Sequence, residues 1–333
     1  MREAVVSSLT DLAFVCPKCQ GEIQNSPAAF HCSACLLDFP ILCGIPDFRL
    51  QPDPYIALKA DRAKGLHLWE AGQSRTFKQM LDYYYSITPE DPADLAVHWT
   101  AHALAEVAIA QDYLAESKLK GYSLLDIGCS TGGMVAAARD RFKLTVGVDC
   151  AFRWLVIGQL RLRELGVSAQ LICANAEALP FANNQFDAVT AVDVIEHVRD
   201  AEAMLRECRR ILRPQGELIG YTNNRYAPLP DPQVGLWCVG WLPRLQQASY
   251  VAWRRNDLHR YQVNMFGWGQ LKNYLRAAGY KNISVGPALL SAPHKPKLAK
   301  LLSTINVIQK WPLIRQLLTA LGPRLSWRAG IVE

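Results

Sequence analysis

Four cysteines, Cys16, Cys19, Cys32 and Cys35, stand in a C-x2-C-x12-C-x2-C array. Each Cys-x-x-Cys turn can aim two thiolates at one point, and two such turns close a tetrahedral sulfur shell suited to Zn2+. Two matched pairs in so short a segment favour zinc over redox dithiols or separately buried thiols. The segment has little core of its own, so metal binding is expected to supply much of its folding energy. Cys43 falls outside the spacing and is expected to be structural.

A second constellation begins at Leu124-Leu-Asp-Ile-Gly-Cys-Ser-Thr-Gly-Gly133. Gly128, Gly132 and Gly133 allow a tight turn and close approach to a ligand. Asp126 selects the ligand. A carboxylate beside the loop would repel a dinucleotide pyrophosphate, whereas it favours the ammonium and sulfonium groups of S-adenosylmethionine (SAM). The G-x-x-x-G-G spacing also differs from the dinucleotide G-x-G-x-x-G. Asp149, at the end of the next strand, can accept both ribose hydroxyls.

Methyl transfer from a sulfonium needs an acceptor atom held in line, about 3 Å away. An oxygen acceptor commonly needs a base as well, and His197 is the best-placed titratable side chain. The competing reading is that Glu196-His197 merely starts a helix packed on the sheet. His98, His102 and Glu106, four apart, would share a helix face; a polar face explains them more simply than a metal site.

The elements that must position these groups divide the chain into four. Residues 11–50 form the zinc ribbon and 51–118 a helical connector or cap. A SAM-binding domain spans 119–286, and 287–333 is a basic amphipathic tail. Strands are expected over 123–126, 144–149, 170–173, 188–193, 217–222 and 282–285, alternating with helical stretches. That alternation predicts an α/β fold, a doubly wound, mostly parallel sheet beside a small ribbon. Gly279 ends the helix before the last strand.

Composition narrows the function. The net charge of +6 is concentrated in residues 287–333, which hold seven Lys or Arg against one acid. A neutral body with a basic tail is not a dedicated nucleic-acid binder. Ten cysteines, without a signal-like start or a run of about 20 apolar residues, point to the cytoplasm. Tail residues Leu298, Leu301, Leu302, Ile305, Ile308, Leu317, Leu318 and Leu321 recur at near-helical spacing, interrupted by Pro312. Packing on the body is favoured for this face; peripheral contact with an anionic membrane is the alternative.

Taken in order, the glycine loop, Asp149, Ala174-Asn-Ala-Glu-Ala-Leu-Pro-Phe181, Asp193-Val-Ile-Glu-His197 and Leu205 to Gly216 resemble the class I SAM-dependent methyltransferases. The likeness is strongest to the branch containing ubiquinone and menaquinone biosynthesis enzymes. It implies that Asp126 and Gly128 face the methionine part, with Asp149 on the ribose and Cys129, Ser130 and Gly132 also binding the cofactor. Asn175, where the family usually has Asp, would bond the adenine amino group beside Ala176, and Asp193 would complete the cofactor site. The spacing Asp193-x-x-Glu196-His197 is also similar to a metal-holding cluster in some relatives, a less favoured reading. The ribbon, through Cys16-Pro-Lys-Cys-Gln-Gly, Phe39-Pro-Ile and Gly44-Ile-Pro, resembles small zinc-ribbon proteins that activate methyltransferases. That implies a docking partner supplied in cis.

Residues 221–268 hold nine aromatics: Tyr221, Tyr226, Trp237, Trp241, Tyr250, Trp253, Tyr261, Phe266 and Trp268. They lie where this fold often places an acceptor lid, and such walls suit a sugar, a planar ring or an isoprenoid chain. The expected reaction is methylation of an oxygen or nitrogen on a small-molecule or glycoconjugate acceptor, lipid-linked acceptors included. The alternatives are an RNA methyltransferase and a non-catalytic scaffold.

Overall fold

The structure, a computed structural model, describes residues 12–88, 93–231, 233–255, 263–291 and 296–332. Tyr261 lies outside the described residues.

The ribbon is a four-stranded antiparallel sheet of β1 (Gln24–Asn25), β2 (Ala29–Cys32), β3 (Leu37–Leu42) and β4 (Ile45–Pro46). Helices α1 (Leu58–Ala71), α2 (Phe77–Ser86) and α3 (Ala93–Ser117) follow. The remaining elements are β5 (Ser123–Ile127), α4 (Gly133–Ala138), β6 (Leu144–Asp149), α5 (Phe152–Glu164), β7 (Gln170–Cys173), β8 (Phe186–Val192), α6 (Ala201–Ile211) and β9 (Leu212–Asn223). Then come α7 (Arg244–Arg255), α8 (Trp268–Ala277), β10 (Lys281–Pro287), α9 (Pro296–Ile308), α10 (Pro312–Leu321) and β11 (Arg324–Gly330).

The main sheet runs β10-β11-β9-β8-β5-β6-β7, and β5 to β9 are mutually parallel. This is the expected doubly wound, mostly parallel arrangement. Strand order reverses beside β5, and a ligand crevice belongs outside the strand ends at that switch point. All five residues of β5 are buried, as required of a central strand covered on both faces.

Strand β11 is absent from the sequence expectation, which stops at six strands and reads this stretch as part of a tail. It inserts antiparallel between β9 and β10. Leu325, Trp327 and Ala329 point into the core, alternating with half-buried Arg324, Ser326 and Arg328. The period of two was present but lay beyond a stretch dominated by helical spacing. Trp327 fits because its neighbour across the strands is Gly220, where a Cβ would stand 1.9 Å from the indole ring.

The tail before β11 is two helices, with Pro312 at the first turn of α10, where its missing N–H costs nothing. Ile314 and Leu318 are half-buried, whereas Leu313, Leu317 and Leu321 form an exposed stripe. Asn224 anchors the end of α10, donating to the Ala320 carbonyl at 3.1 Å.

The ribbon is stitched to the edge of the main sheet. Asp47 bridges Cys173 of β7 in parallel, and the Phe48 N–H donates to the Cys173 carbonyl at 2.7 Å. On the other side Val15 N–H reaches Pro180 O and Ala182 N–H reaches Ala13 O. Between these seams Phe14 packs within 5.7 Å, centroid to centroid, of Phe30, Phe48 and Phe181. The apolar face of the ribbon and the sheet edge therefore share one core.

Candidate active site

The four ribbon cysteines converge, their sulfurs all within 4.8 Å of one another. The Cys16–Cys35 and Cys19–Cys32 sulfurs are 4.0 and 3.6 Å apart. Zn–S bonds of about 2.3 Å in a tetrahedron put sulfurs roughly 3.8 Å apart, so the donor set fits that ion. Among the described residues no other His, Cys, Asp and Glu group gathers this closely. Asp193, Glu196 and His197 do not meet as a ligand cluster, nor do His102 and Glu106 with a third group.

The chain leaving the ribbon forms a strap over the catalytic domain. Arg49 donates to both oxygens of Asp47, at 2.8 and 2.6 Å, and to Asp61 of α1 at 2.6 Å. Arg153 of α5 donates to Asp61 at 2.7 Å and to Asp53 at 3.1 Å. All are buried. Burial alone would raise the Asp47 pKa, but Arg49 and Arg62 outweigh it and hold the carboxyl below its ordinary value. Breaking such a set from one side leaves an uncompensated buried charge, costing about 3–5 kcal/mol.

The strap ends over a cavity of about 470 Å3 at the C-terminal ends of β5, β6, β7 and β8. Gly128, Ser130, Asp149, Asn175, Ala176, Asp193 and His197 all line it. Seven of the expected site residues are thus brought to one space. Gly128 has φ +69°, and a Cβ there would lie 2.2 Å from Val194, so only glycine permits this turn. Asp149 accepts the Ser130 and Ala151 N–H groups, each at 2.8 Å. Burial pushes its pKa up to about 6, with those two N–H groups pulling the other way.

Asp126, Cys129 and Gly132 do not line the cavity. Asp126 is buried in the sheet and accepts the Thr190 hydroxyl at 2.7 Å, and burial pushes its carboxyl well above the usual range. Cys129 is buried against Gly147, while Gly132, at φ +76°, sets the start of α4. These residues shape the loop from behind. Glu106 of α3 does reach the cavity, accepting the Thr131 hydroxyl at 3.1 Å and pairing with Arg161. A Cβ on Gly133 would lie 2.3 Å from the Glu106 side chain, so helix and loop are in intimate contact.

Asn175 differs in role from the expectation. Its side-chain oxygen already accepts the Leu50 and Gln51 N–H groups, at 2.9 and 3.0 Å. Both lone pairs are taken, which leaves none for an adenine amino group.

The cavity's aromatic wall also comes from an unexpected place: Tyr55, Tyr85, Trp99 and Trp154, with His102 beside them. These sit on the strap, α2, α3 and α5. Sequence reasoning missed Asp53, Tyr55, Trp99 and Trp154; the four-residue spacing of His102 and Glu106 was the available signal for α3. The described aromatic side chains of residues 221–268 are not among the lining groups: Tyr221 and Phe266 are core, and Trp237, Trp241 and Trp253 are exposed. What that segment contributes is Gln233, whose amide nitrogen is 2.7 Å from His197 Nε2. Burial lowers the His197 pKa, so the ring is neutral and Nε2 accepts from Gln233. Tyr55 OH lies 3.4 Å from Nδ1.

Residues 125–220 match the family model described as a methyltransferase domain. The chain carries a class I SAM-dependent methyltransferase domain. Over 142 residues it is 35% identical to the ubiquinone biosynthesis O-methyltransferase of Cereibacter sphaeroides, covering 40% of this chain and 55% of that one. The enzyme of the same name from Dinoroseobacter shibae is 37% identical over 116 residues, 34% of this chain and 46% of the relative. The chain therefore spans about half the length of these curated relatives. A SAM-dependent methyltransferase structure from Thermotoga maritima aligns with 80% of this chain and 100% of its own, at 19% identity and a TM-score of 0.45. The matched segment of the methyltransferase domain begins at Leu125 in β5 and ends at Gly220 in β9, so ribbon, strap and β11 lie outside it.

Proposed function

We propose that this protein methylates an oxygen of a small-molecule or glycoconjugate acceptor, with SAM in the cavity roofed by the strap. The observation that carries the reading is the meeting of Asp149, Gly128 and His197 on one cavity at the sheet's switch point. The size, about 470 Å3, suits a nucleoside-sized ligand. The names of the two curated relatives, both O-methyltransferases, support an oxygen acceptor.

Bound SAM would supply an electrophilic methyl group on a sulfonium, released to an acceptor oxygen as the C–S bond breaks. The chain's own residues do the rest. Asp149 holds the ribose hydroxyls. Gly128 and Ser130 let the backbone close on the ligand, and Asn175, fixed by the strap, forms with Ala176 the wall of the adenine site. Glu106 presents negative charge from α3, in the place assigned to Asp126 by its position in sequence. His197, neutral because it is buried, takes the acceptor's proton at Nε2 when the hydroxyl replaces the Gln233 amide there. Cys16, Cys19, Cys32 and Cys35 would hold Zn2+, which would keep the ribbon folded and thereby the strap in place.

The test is transfer of labelled methyl from SAM into separated lipid, polysaccharide, small-molecule and RNA fractions, with His197→Ala beside the native protein. Label in the first three fractions, reduced roughly 10²-fold or more in the variant, is expected. Label confined to RNA would replace the acceptor assignment. Undiminished activity in His197→Ala would exclude the base and favour a nitrogen acceptor.

A membrane-facing placement is supported by one feature. Leu313, Leu317 and Leu321 are exposed along α10, with Trp311 exposed at its start. Residues 296–332 contain Lys and Arg but no acid. Such a face suits an anionic lipid surface. Among the described residues no helix is long and apolar enough to cross a membrane. Sedimentation with anionic and neutral vesicles tests the contact; equal recovery with both would sink it.

A further inference from the structure

A second cavity, about 380 Å3, opens off the first. The two share Pro54, His197, Val198 and Arg199, so His197 stands at their junction. From there the second cavity runs under α7, past Arg244, Gln247 and Asn264. The Asn264 backbone N–H donates to the Glu196 carbonyl at 2.7 Å, tying this wall to the residue beside His197.

Among the described residues two arginines, Arg199 and Arg244, line this space and no carboxylate does. Arg199 donates a guanidinium N–H to the Pro52 carbonyl at 2.8 Å and its backbone N–H to Glu177 at 2.8 Å, and its side chain has no ion pair among the described residues. Arg244 has its guanidinium 5.5 Å from the centre of the Phe266 ring, and no acidic partner among the described residues. The cofactor cavity differs, with Asp53, Glu106, Asp149, Glu177 and Asp193 on its walls beside Arg153 and the shared Arg199. Among the described residues, an acceptor spanning the two would meet arginines without carboxylates only in the second. Planar guanidinium groups bind carboxylate and phosphate through paired N–H donors, which fixes orientation as well as affinity.

We propose that the second cavity is an anion subsite, holding a carboxylate or phosphate carried by the acceptor while its reacting oxygen lies at His197. This rests on the reading of the first cavity as the SAM site. Arg199 and Arg244 bind the anion, and Asn264 adds an amide donor. The acceptor class is thereby narrowed to hydroxyl compounds that bear an acidic group, and neutral ones are disfavoured.

The experiment uses the full-length, zinc-loaded protein saturated with S-adenosylhomocysteine, at constant ionic strength. Phenyl phosphate, benzoate and phenol are titrated by calorimetry against native protein, Arg244→Ala and Arg244→Lys. The anions are expected to bind at least roughly tenfold tighter than phenol, and Arg244→Ala to remove most of that preference. Arg244→Lys should restore part of it, and S-adenosylhomocysteine affinity and melting temperature should be unchanged in both variants. Phenyl phosphate binding above benzoate would mark a phosphate-bearing acceptor, and the reverse a carboxylate. Equal binding of phenol and the anions, or an anion preference indifferent to Arg244, would overturn the subsite. Loss of S-adenosylhomocysteine binding by the native protein would instead overturn the cofactor reading, and the subsite with it.

Discussion

Asn175 and Gln51 bond each other twice: the Gln51 N–H donates to Asn175 Oδ1 at 3.0 Å, and Asn175 Nδ2 donates to the Gln51 carbonyl at 3.2 Å. The strap leaving the ribbon is thus fastened to the loop after β7, on the rim of the cofactor cavity. Asn175→Ala leaves part-buried N–H groups of Leu50 and Gln51 without their acceptor, at a cost of about 1–3 kcal/mol. We expect a lower melting temperature and weaker S-adenosylhomocysteine binding together. Chelation of the ribbon metal should act in the same direction, since the strap begins where the ribbon ends. Calorimetry before and after chelation measures this; unchanged cofactor affinity in the stripped, folded protein would separate ribbon from site.

Glu196 predicts a pH signature. Both its carboxyl oxygens are buried, and neither has a hydrogen bond of ordinary geometry among the described residues. Burial, with Asp193 adding to it, pushes its pKa from 4.5 up to about 8. A carboxyl raised on folding favours the native state at low pH, and that contribution is lost as pH rises from about 4.5 to about 8. Glu196→Gln removes the titration. The variant should match or exceed native stability above pH 8, and the difference should shrink toward acid. Denaturant melts at pH values of about 5 and about 9, either side of that range, check the sign; a gap that widens toward acid would mean Glu196 is ionised in the fold.

Gly220 is the seat of Trp327. A Cβ at position 220 would stand 1.9 Å from the indole ring, so Gly220→Ala must displace β11 or the ring. Overpacking of this kind costs about 1–3 kcal/mol. The variant should unfold earlier and lose near-ultraviolet dichroism from Trp327, while a surface substitution such as Gly166→Ala tests only local turn strain at φ +62°.

Much of this was legible in the sequence because the responsible residues act locally. The cysteine spacing carries the four-sulfur cluster, and the glycine loop and strand-end aspartates carry the crevice, with Gly128, Ser130, Asp149, Ala176 and His197 gathered on it. Long-range placement was not legible. Asp126 looks like a ligand-facing acid by position, yet the side chain turns into the sheet toward Thr190, and Glu106 arrives from the preceding helix, α3. The aromatics of residues 221–268 form a dense run in sequence, but strand and helix geometry sends the described ones to core or surface. Nothing local reveals that the wall of the cavity comes from Tyr55, Trp99 and Trp154, or that Arg324 closes a sheet pairing and binds Asp193 at 2.7 Å.

On the proposed function, the cavity at the ends of β5, β6, β7 and β8 binds SAM through Asp149. The most direct measurement is a calorimetric titration of the folded, zinc-loaded protein with SAM at several pH values. We predict one site per chain, with affinity falling as pH drops through about 6, where Asp149 gains a proton and loses an acceptor for the ribose. Asp149→Asn should bind more weakly by about 2 kcal/mol, roughly thirtyfold, and lose that pH dependence. Folded native protein that binds no SAM, or an Asp149→Asn variant with native affinity, would contradict the account.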